Sequence, residues 1–188
     1  IGKARVSGRF TGFGAEKAEL HSRDEAEAVL NKCAGAAFSV SSIKKSERRK
    51  YPAAPFTTSN LQQEASRKLG FTTQKTMQIA QQLYEGVEIA GEGSQGLVTY
   101  IRTDSTRIAD EAMESVRTMI AENYAAEFLP EKPNIYKTRS SAQYAHEAIR
   151  PTDILRKPDS IKASLSRDQF RLYKLIYERF VSSQMTPS

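Results

Sequence analysis

The alternation of apolar and polar side chains predicts strands around one helix in the first part of the chain. Residues 4–10 alternate as a half-buried strand does, residues 12–14 (GFG) are typical of a turn, and residues 15–20 are predicted to return as the partner strand. Residues 22–32 begin with a capping box (SRDE) and predict a helix. Residues 37–45 then predict another strand.

Two helices are predicted next, on either side of a Gly-Phe turn. A pattern of capping-box form begins the first helix at Ser59, and Gly70 should end it. Thr72 or Thr73 caps the second helix, which runs to about Tyr84. Such a pair resembles a helix-turn-helix unit. Its core is predicted from the apolar residues at helical spacing, namely Leu61, Ala65, Leu69, Met77, Ala80 and Leu83.

The remaining chain predicts two longer helices. Residues 109–124 place Met113, Val116, Ile120 and Tyr124 on one helical face, and prolines interrupt the chain after them. Ser166 begins the last helix. Its apolar stripe has the spacing of a packed core rather than of a surface that stacks on nucleic acid, and consists of Phe170, Tyr173, Ile176, Tyr177 and Phe180.

A stiff connector, residues 51–55 (YPAAP), separates the strand-rich part from the helical part. Both of its prolines disfavour helix at the residue before them, so a boundary is predicted near residues 57–60. We therefore predict an α+β fold, with a small β-rich segment over residues 1–59 and a mostly helical domain over residues 60–186.

The composition adds a few limits. With 188 residues, 39% hydrophobic and 27% charged, the chain can bury a core and is expected to be soluble. No apolar stretch approaches a membrane helix and no signal-peptide pattern is present, so we expect a cytoplasmic protein without a membrane partner. Cys33 is the one cysteine, and its helical setting predicts a buried, inert thiol. Because the chain begins at Ile1, a piece of a longer protein is expected.

The net charge of +6 is compatible with a polyanionic partner. Residues 1–59 hold eleven basic and six acidic residues, whereas the rest of the chain is nearly neutral. Much of the excess lies in residues 44–50 (KKSERRK). Two interpretations stay open for this run, namely contact with a nucleic-acid backbone and a solvated edge strand protected by charge.

Candidate chemistry lies in residues 96–105 (GLVTYIRTDS). In an extended segment, Tyr100 and Arg102 would project to the same side. A phenol can attack a phosphodiester while a guanidinium neutralises the phosphate charge. Because a free phenol has a pKa of about 10, positive charge nearby matters at neutral pH. A half-buried packing tyrosine is the alternative.

A second cluster lies in residues 146–152 (HEAIRPT). Pro151 disfavours helix at Arg150, so this segment is predicted to end in a turn that presents its side chains. His146 has an ordinary pKa near 6.5 and could donate to a phosphate when protonated. The alternative is a structural histidine bonded to a backbone carbonyl.

Together the two segments resemble the type IA DNA topoisomerases, and within them the bacterial topoisomerase I branch. Both motifs occur in the order and at the spacing of that family. The likeness extends to residues 56–62 (FTTSNLQ) and residues 177–185 (YERFVSSQM), and so covers most of residues 50–188.

The resemblance implies a reaction. In this family the tyrosine matching Tyr100 attacks a phosphodiester of single-stranded DNA, which leaves a 5′-phosphotyrosyl link and a free 3′-hydroxyl. Another strand passes through the gap and the hydroxyl reverses the reaction, so negative supercoils are relaxed without ATP. The resemblance implies that Arg102 stabilises charge at the scissile phosphate and that His146 is linked to DNA binding. Arg150 also matches a motif position and is a candidate DNA contact, with a purely structural role as the alternative. Lys75, the cation of the second predicted helix, is a further candidate DNA contact.

The resemblance also implies a larger architecture. The family forms a four-domain torus, in which residues 60–186 would be the tyrosine-bearing domain III and residues 1–59 part of the β-rich arch, domain II. The Mg²⁺ ligands of the family lie in an N-terminal domain, which is expected as a partner from outside this chain. The other expected partners are single-stranded DNA and negatively supercoiled DNA in the bacterial nucleoid. The chain alone is expected to be inactive in relaxation.

Two other classes remain as alternatives. A non-catalytic helix-turn-helix DNA-binding module would explain the basic charge and residues 59–84, but not the Tyr100 and His146 segments. A duplex reader would normally offer more base-reading donors than the second helix carries. In a tyrosine recombinase, the nucleophile usually follows the His and Arg elements, whereas Tyr100 precedes them.

Overall fold

The computed structural model describes residues 7–14, 16–37, 39–40, 42–136 and 146–188. The chain divides into two compact units, residues 1–47 and residues 48–188. Helices and short antiparallel strand pairs occur in the same chain, so the predicted α+β class is confirmed. The observed division lies about ten residues before the predicted boundary, and the assignment of the units to particular family domains stays a prediction.

The first unit contains a minimal hairpin and one helix. Strands β1 (Gly12–Phe13) and β2 (Glu16–Lys17) pair antiparallel, and helix α1 spans Arg23–Cys33. The Ser22 hydroxyl accepts the Glu25 N–H, so the predicted helix start is confirmed.

Other predictions for this unit are wrong. The described parts of residues 4–10 and 37–45 carry no strand, and the described residues of the basic run 44–50 are exposed and irregular. Val29 is the one buried side chain among the described residues of this unit, so little apolar surface is present to stabilise longer strands. Cys33 is exposed rather than buried, because its helix packs so few side chains.

The second unit begins with a helix pair close to the predicted one. Helix α2 spans Thr58–Leu69 and helix α3 spans Thr73–Glu85. Thr72 caps α3 and Gly70 ends α2 in a left-handed conformation with φ of 69°, as predicted. The predicted cap at Ser59 is wrong by two residues, because the Thr57 hydroxyl accepts the Asn60 N–H and caps the helix instead.

A hairpin, β3 (Val87–Ile89) and β4 (Gly93–Gln95), connects α3 to the segment containing Tyr100. Helix α4 spans Asp110–Asn123 and helix α5 spans Arg167–Ser183, with short 3₁₀ helices at Ala126–Phe128 and Pro158–Ser164. The capping box that begins α5 is formed by Ser166 and Gln169.

Helix α5 lies at the centre of the core, with α2 and α3 packed against it. The predicted apolar stripe is confirmed for Tyr173, Ile176, Tyr177 and Phe180, which are buried, whereas Phe170 is only partly buried. The core side chains predicted for α2 and α3 also pack there, with Leu69 and Met77 partly exposed. This packing leaves the opposite faces of α2 and α3 free to form a surface.

Candidate active site around Tyr100

The segment containing Tyr100 is a bent loop rather than the predicted strand. Val98 makes an isolated bridge to Pro151, and the chain bends from residue 99 onward. The side chains still alternate, because Ile101 is 1% exposed while Tyr100 is 47% exposed and Arg102 is also exposed. Burial of Ile101 in the core therefore turns its two neighbours outward without a sheet.

Helix α3 holds the beginning of this loop. The Leu97 N–H donates to the Leu83 carbonyl over 2.7 Å. At Gly96 a Cβ atom would lie 2.9 Å from the Tyr84 carbonyl oxygen, so only glycine allows this approach without a shift. The last turn of α3 and the loop are therefore in direct backbone contact.

Thr58 holds the end of the loop at the beginning of α2. Its hydroxyl donates to the Ile101 carbonyl over 2.7 Å and accepts the Thr103 N–H over 2.9 Å. The Thr58 N–H also donates to the Thr103 carbonyl over 2.9 Å. The backbone on both sides of Arg102 is thereby fixed to a helix.

Thr99 joins the Tyr100 loop to the His146 cluster. Its hydroxyl donates to the Ala148 carbonyl over 2.8 Å and accepts the Arg150 N–H over 3.0 Å. Its own N–H donates to the Arg150 carbonyl over 2.9 Å. The two segments that the sequence analysis singled out are therefore neighbours, about 50 residues apart along the chain.

An open cleft of about 520 Å³ lies between α3 and the loop. Tyr100 and Arg102 line one side, as expected for side chains that project together. The residues on the α3 side are Met77, Gln78, Gln81 and Glu85. The Tyr84 ring meets the Tyr100 ring edge-on, with centroids 5.6 Å apart and planes inclined by 67°. A phenol and a guanidinium thus share a solvent-open space large enough for part of a nucleotide chain.

The family model for DNA topoisomerases matches residues 4–188. The chain belongs to the DNA topoisomerase family. It is 50% identical over 164 residues to DNA topoisomerase 1 of Xylella fastidiosa strain Temecula1, covering 87% of this chain and 20% of the relative. The protein of that name from strain 9a5c is 53% identical over 150 residues, which cover 79% of this chain and 18% of the relative.

A solved structure of a DNA topoisomerase has a similar fold. The full-length topoisomerase I of Thermotoga maritima, in a monoclinic crystal form, matches with a TM-score of 0.71 and 41% identity. The match covers 94% of this chain and 27% of the Thermotoga chain. This topoisomerase chain thus spans only about a fifth to a quarter of the relatives that it matches.

The other residues implied by the topoisomerase resemblance differ in their accessibility. His146 is exposed. Arg150 is mostly buried, and its guanidinium donates to the Glu147 carboxylate over 2.8 Å and to the Pro151 carbonyl over 3.0 Å. Arg150 therefore stabilises the turn, and its predicted role in DNA binding would require it to exchange these partners.

Lys75 also has intramolecular partners. Its ammonium lies 2.6 Å from the Asp168 carboxylate and 4.6 Å from the centroid of the Phe71 ring. The hydrogen bond from Lys75 is the main cause that lowers the pKa of Asp168 below its ordinary value. Lys75 thus links α3 to the beginning of α5, and its proposed contact with DNA stays a prediction.

Four side chains in or beside the cleft were not predicted as site residues. Tyr84, Gln78, Gln81 and Glu85 face the same space as Tyr100 or contact its ring. Gln81 donates to Glu85 over 2.5 Å. Their spacing along α3 is a signal of one helical face, but only the position of the loop shows that this face meets Tyr100.

Two further properties concern the described residues only. No group of three or more His, Cys, Asp or Glu side chains is arranged there to hold a metal ion. These residues therefore offer no fitted site for the Mg²⁺ that the resemblance implies. No described helix is long and apolar enough to cross a membrane.

Proposed function

We propose that this chain carries the nucleophile of a type IA DNA topoisomerase that relaxes negative supercoils through transient cleavage of single-stranded DNA. The observation that carries the proposal is the shared, open cleft of Tyr100 and Arg102 in a chain of this family. Accessibility of the nucleophile and a cation beside it are the two requirements for a tyrosine to attack a phosphodiester.

In the proposed reaction, the Tyr100 phenolic oxygen attacks the phosphorus atom and loses its proton to a base. The bond between phosphorus and the 3′-oxygen breaks, and the 3′-oxygen leaves and takes up a proton. Arg102 offsets the charge that develops on the phosphoryl oxygens. Because the tyrosyl ester replaces one phosphodiester, the 3′-hydroxyl can reverse the step without ATP.

The loop geometry supports this assignment. Thr99 fixes the backbone before Tyr100, and Thr58 fixes the backbone on both sides of Arg102, so the loop that carries the two side chains is bonded to neighbouring elements. A fixed nucleophile needs less reorganisation to reach a bound phosphate. His146, exposed next to the Thr99 contact, is proposed as an additional phosphate donor.

The test uses a full-length Xylella fastidiosa DNA topoisomerase 1 in which residues 4–188 of this chain replace the matching segment, called the chimera below. Tyr100→Phe should abolish denaturant-trapped covalent adducts on a 5′-mapped oligonucleotide, because the ring remains but its nucleophilic oxygen is removed. Binding of single-stranded DNA should persist. An adduct that survives Tyr100→Phe would exclude Tyr100 as the nucleophile. Plasmid relaxation by the unmutated chimera is the control for folding.

The duplex-reading alternative is less well supported. In a helix-turn-helix reader, the second helix supplies cations and donors to the major groove. The one cation of α3, Lys75, is paired with Asp168. Preferential binding of a specific duplex over single strands by the chain would favour that alternative.

A further inference from the structure

Glutamines are concentrated on the helix pair next to the Tyr100 cleft. Six of the ten glutamines of the chain lie between Gln62 and Gln82, on α2 and α3. Exposed helical positions more often carry Lys or Glu, which also favour helix and solubility. The enrichment therefore indicates a surface selected for hydrogen bonding without fixed charge.

Four of these glutamines line two grooves on the free side of α2 and α3. Gln78 and Gln81 belong to the Tyr100 cleft. Gln62 and Gln63 belong to a second groove, of about 540 Å³, at the beginning of α3. Its other lining residues are Ser59, Ser66, Arg67 and Thr73.

The two grooves follow each other along α3. Thr73 lines the second groove, and Met77 and Gln81, about one and two turns further along α3, line the Tyr100 cleft. At about 1.5 Å per residue, the stretch of α3 from Thr73 to Glu85 is about 18 Å long. That length matches about five nucleotides at the B-form rise of about 3.4 Å per strand, and fewer if the strand is extended.

The polar groups of the second groove are available for a ligand. Within the described residues, the side chains of Ser59, Gln62, Gln63 and Ser66 have no hydrogen-bond partner. Each amide offers two donors and an acceptor, which suits the exposed edges of unpaired bases as well as phosphate oxygens. Arg67 pairs with Glu64, but the same carboxylate also pairs with Lys68 and Arg179, so a net positive charge remains beside this groove.

We propose that this face, called the glutamine track, binds the stretch of single-stranded DNA that runs from the scissile phosphate on one side of Tyr100. The proposal rests on the proposed function, because it takes the Tyr100 cleft as the cleavage point. The track is lined mainly by amides and hydroxyls, with Met77 as its one aliphatic side chain. A stable interface with another protein domain would normally have an apolar centre. A single strand is therefore the favoured occupant.

The test measures binding of fluorescent single-stranded oligonucleotides to the chimera in the Tyr100→Phe background, where cleavage should not consume the substrate. The track variant is Gln63→Ala with Gln78→Ala. Gln82→Ala is the matched control, because the same change on α3 removes a side chain that contacts Gln169 of α5 instead of the track. All three substituted positions are exposed, and thermal unfolding verifies that each variant folds.

We expect the track variant to bind a long oligonucleotide about tenfold more weakly, which corresponds to about 1.4 kcal/mol. Oligonucleotides shortened by five nucleotides on one side of the cleavage site should bind the parent and the track variant equally. Gln82→Ala should bind like the parent at every length.

Two outcomes would overturn the glutamine track. One is unchanged binding of the long oligonucleotide by the track variant. The other is an equal loss at all lengths together with a lower unfolding temperature, which would indicate that this face contacts another part of the protein. If Tyr100 is not the nucleophile, the result is different, because covalent adducts would then still form in the Tyr100→Phe background.

Discussion

At the scale of single residues, the environment of Tyr100 is set by a second tyrosine. Tyr84 meets its ring edge-on, and both rings are partly exposed. Edge-to-face aromatic pairs contribute about 0.5–1.5 kcal/mol beyond the area they bury. Since Tyr84 lies in the last turn of α3, whose backbone also contacts Gly96 and Leu97, the helix fixes the position of the second ring.

We predict that Tyr84→Ala in the chimera slows adduct formation about three- to tenfold with little change in single-strand affinity. Loss of the neighbouring ring frees Tyr100 to sample other rotamers, at a cost of about 0.5–1.5 kcal/mol in positioning. Tyr84→Phe keeps the ring and should react like the parent. The measurement is the single-turnover cleavage rate. Equal rates for Tyr84→Ala and the parent would show that Tyr84 does not position the nucleophile.

Thr99 is the residue that connects the two sequence motifs. Thr99→Val keeps the shape of the side chain but removes the hydroxyl. That hydroxyl donates to the Ala148 carbonyl and accepts the Arg150 N–H. An unsatisfied, partly buried backbone group costs about 1–3 kcal/mol. We expect a lower free energy of unfolding by about that amount, measured by urea denaturation of the chain. Thr99→Ser retains the hydroxyl and should recover most of the lost free energy of unfolding. An unchanged free energy of unfolding in Thr99→Val would show that the hydroxyl does not stabilise the contact between the two segments.

At the scale of elements, α5 fixes the segment that follows the His146 cluster. The Tyr177 hydroxyl donates to the Ile154 carbonyl over 2.9 Å, and the Tyr173 hydroxyl donates to the Arg156 carbonyl over 2.8 Å. Burial is the main cause that raises the pKa of Tyr177 to about 12, and it also raises that of Tyr173. The α5 core thus keeps both phenols protonated.

An alkaline stability profile follows from these pKa values. Above a pH of about 10 the unfolded chain loses the Tyr177 proton while the folded chain keeps it up to a pH of about 12, so unfolding becomes more favourable as pH rises between them. The loss is at most about 1.4 kcal/mol per pH unit for this group. We expect Tyr177→Phe to unfold with a shallower pH dependence in that window. The measurement is the melting temperature as a function of pH, and an equal slope for Tyr177→Phe and the parent would contradict the prediction.

The element boundaries show why local signals succeed at some positions and fail at others. Gly70, Thr72 and Ser166 act through groups within one helical turn, so their pattern in the sequence is enough. Residues 37–45 alternate as a strand would, but a strand also needs a paired neighbour and a buried face. The first unit provides neither within its described residues.

At the scale of the whole molecule, the chain spans only 18–20% of its two Xylella relatives. Relaxation requires that both ends of a broken strand are held while another strand passes. Tyr100 would hold only the 5′ end. We therefore predict no relaxation of negatively supercoiled plasmid by residues 1–188 with Mg²⁺, and relaxation by the chimera. Gel electrophoresis measures both, and relaxation by the chain alone would refute the prediction.

The sequence by itself determined the family, the α+β class and the helices with strong capping signals. It also paired Tyr100 with Arg102, because alternation along an extended backbone depends on neighbouring residues alone. These properties follow from local stereochemistry and from motif identity.

Only the tertiary structure decided which surfaces meet Tyr100. The loop is bent because Ile101 is drawn into the core and because Thr58 and Thr99 bond to segments more than 40 residues away. The same packing turns Gln78, Gln81 and Tyr84 toward Tyr100, and it pairs Arg150 and Lys75 with acidic residues. Such contacts depend on how elements that are distant in the sequence pack together. The pattern of residues within one segment does not predict that packing.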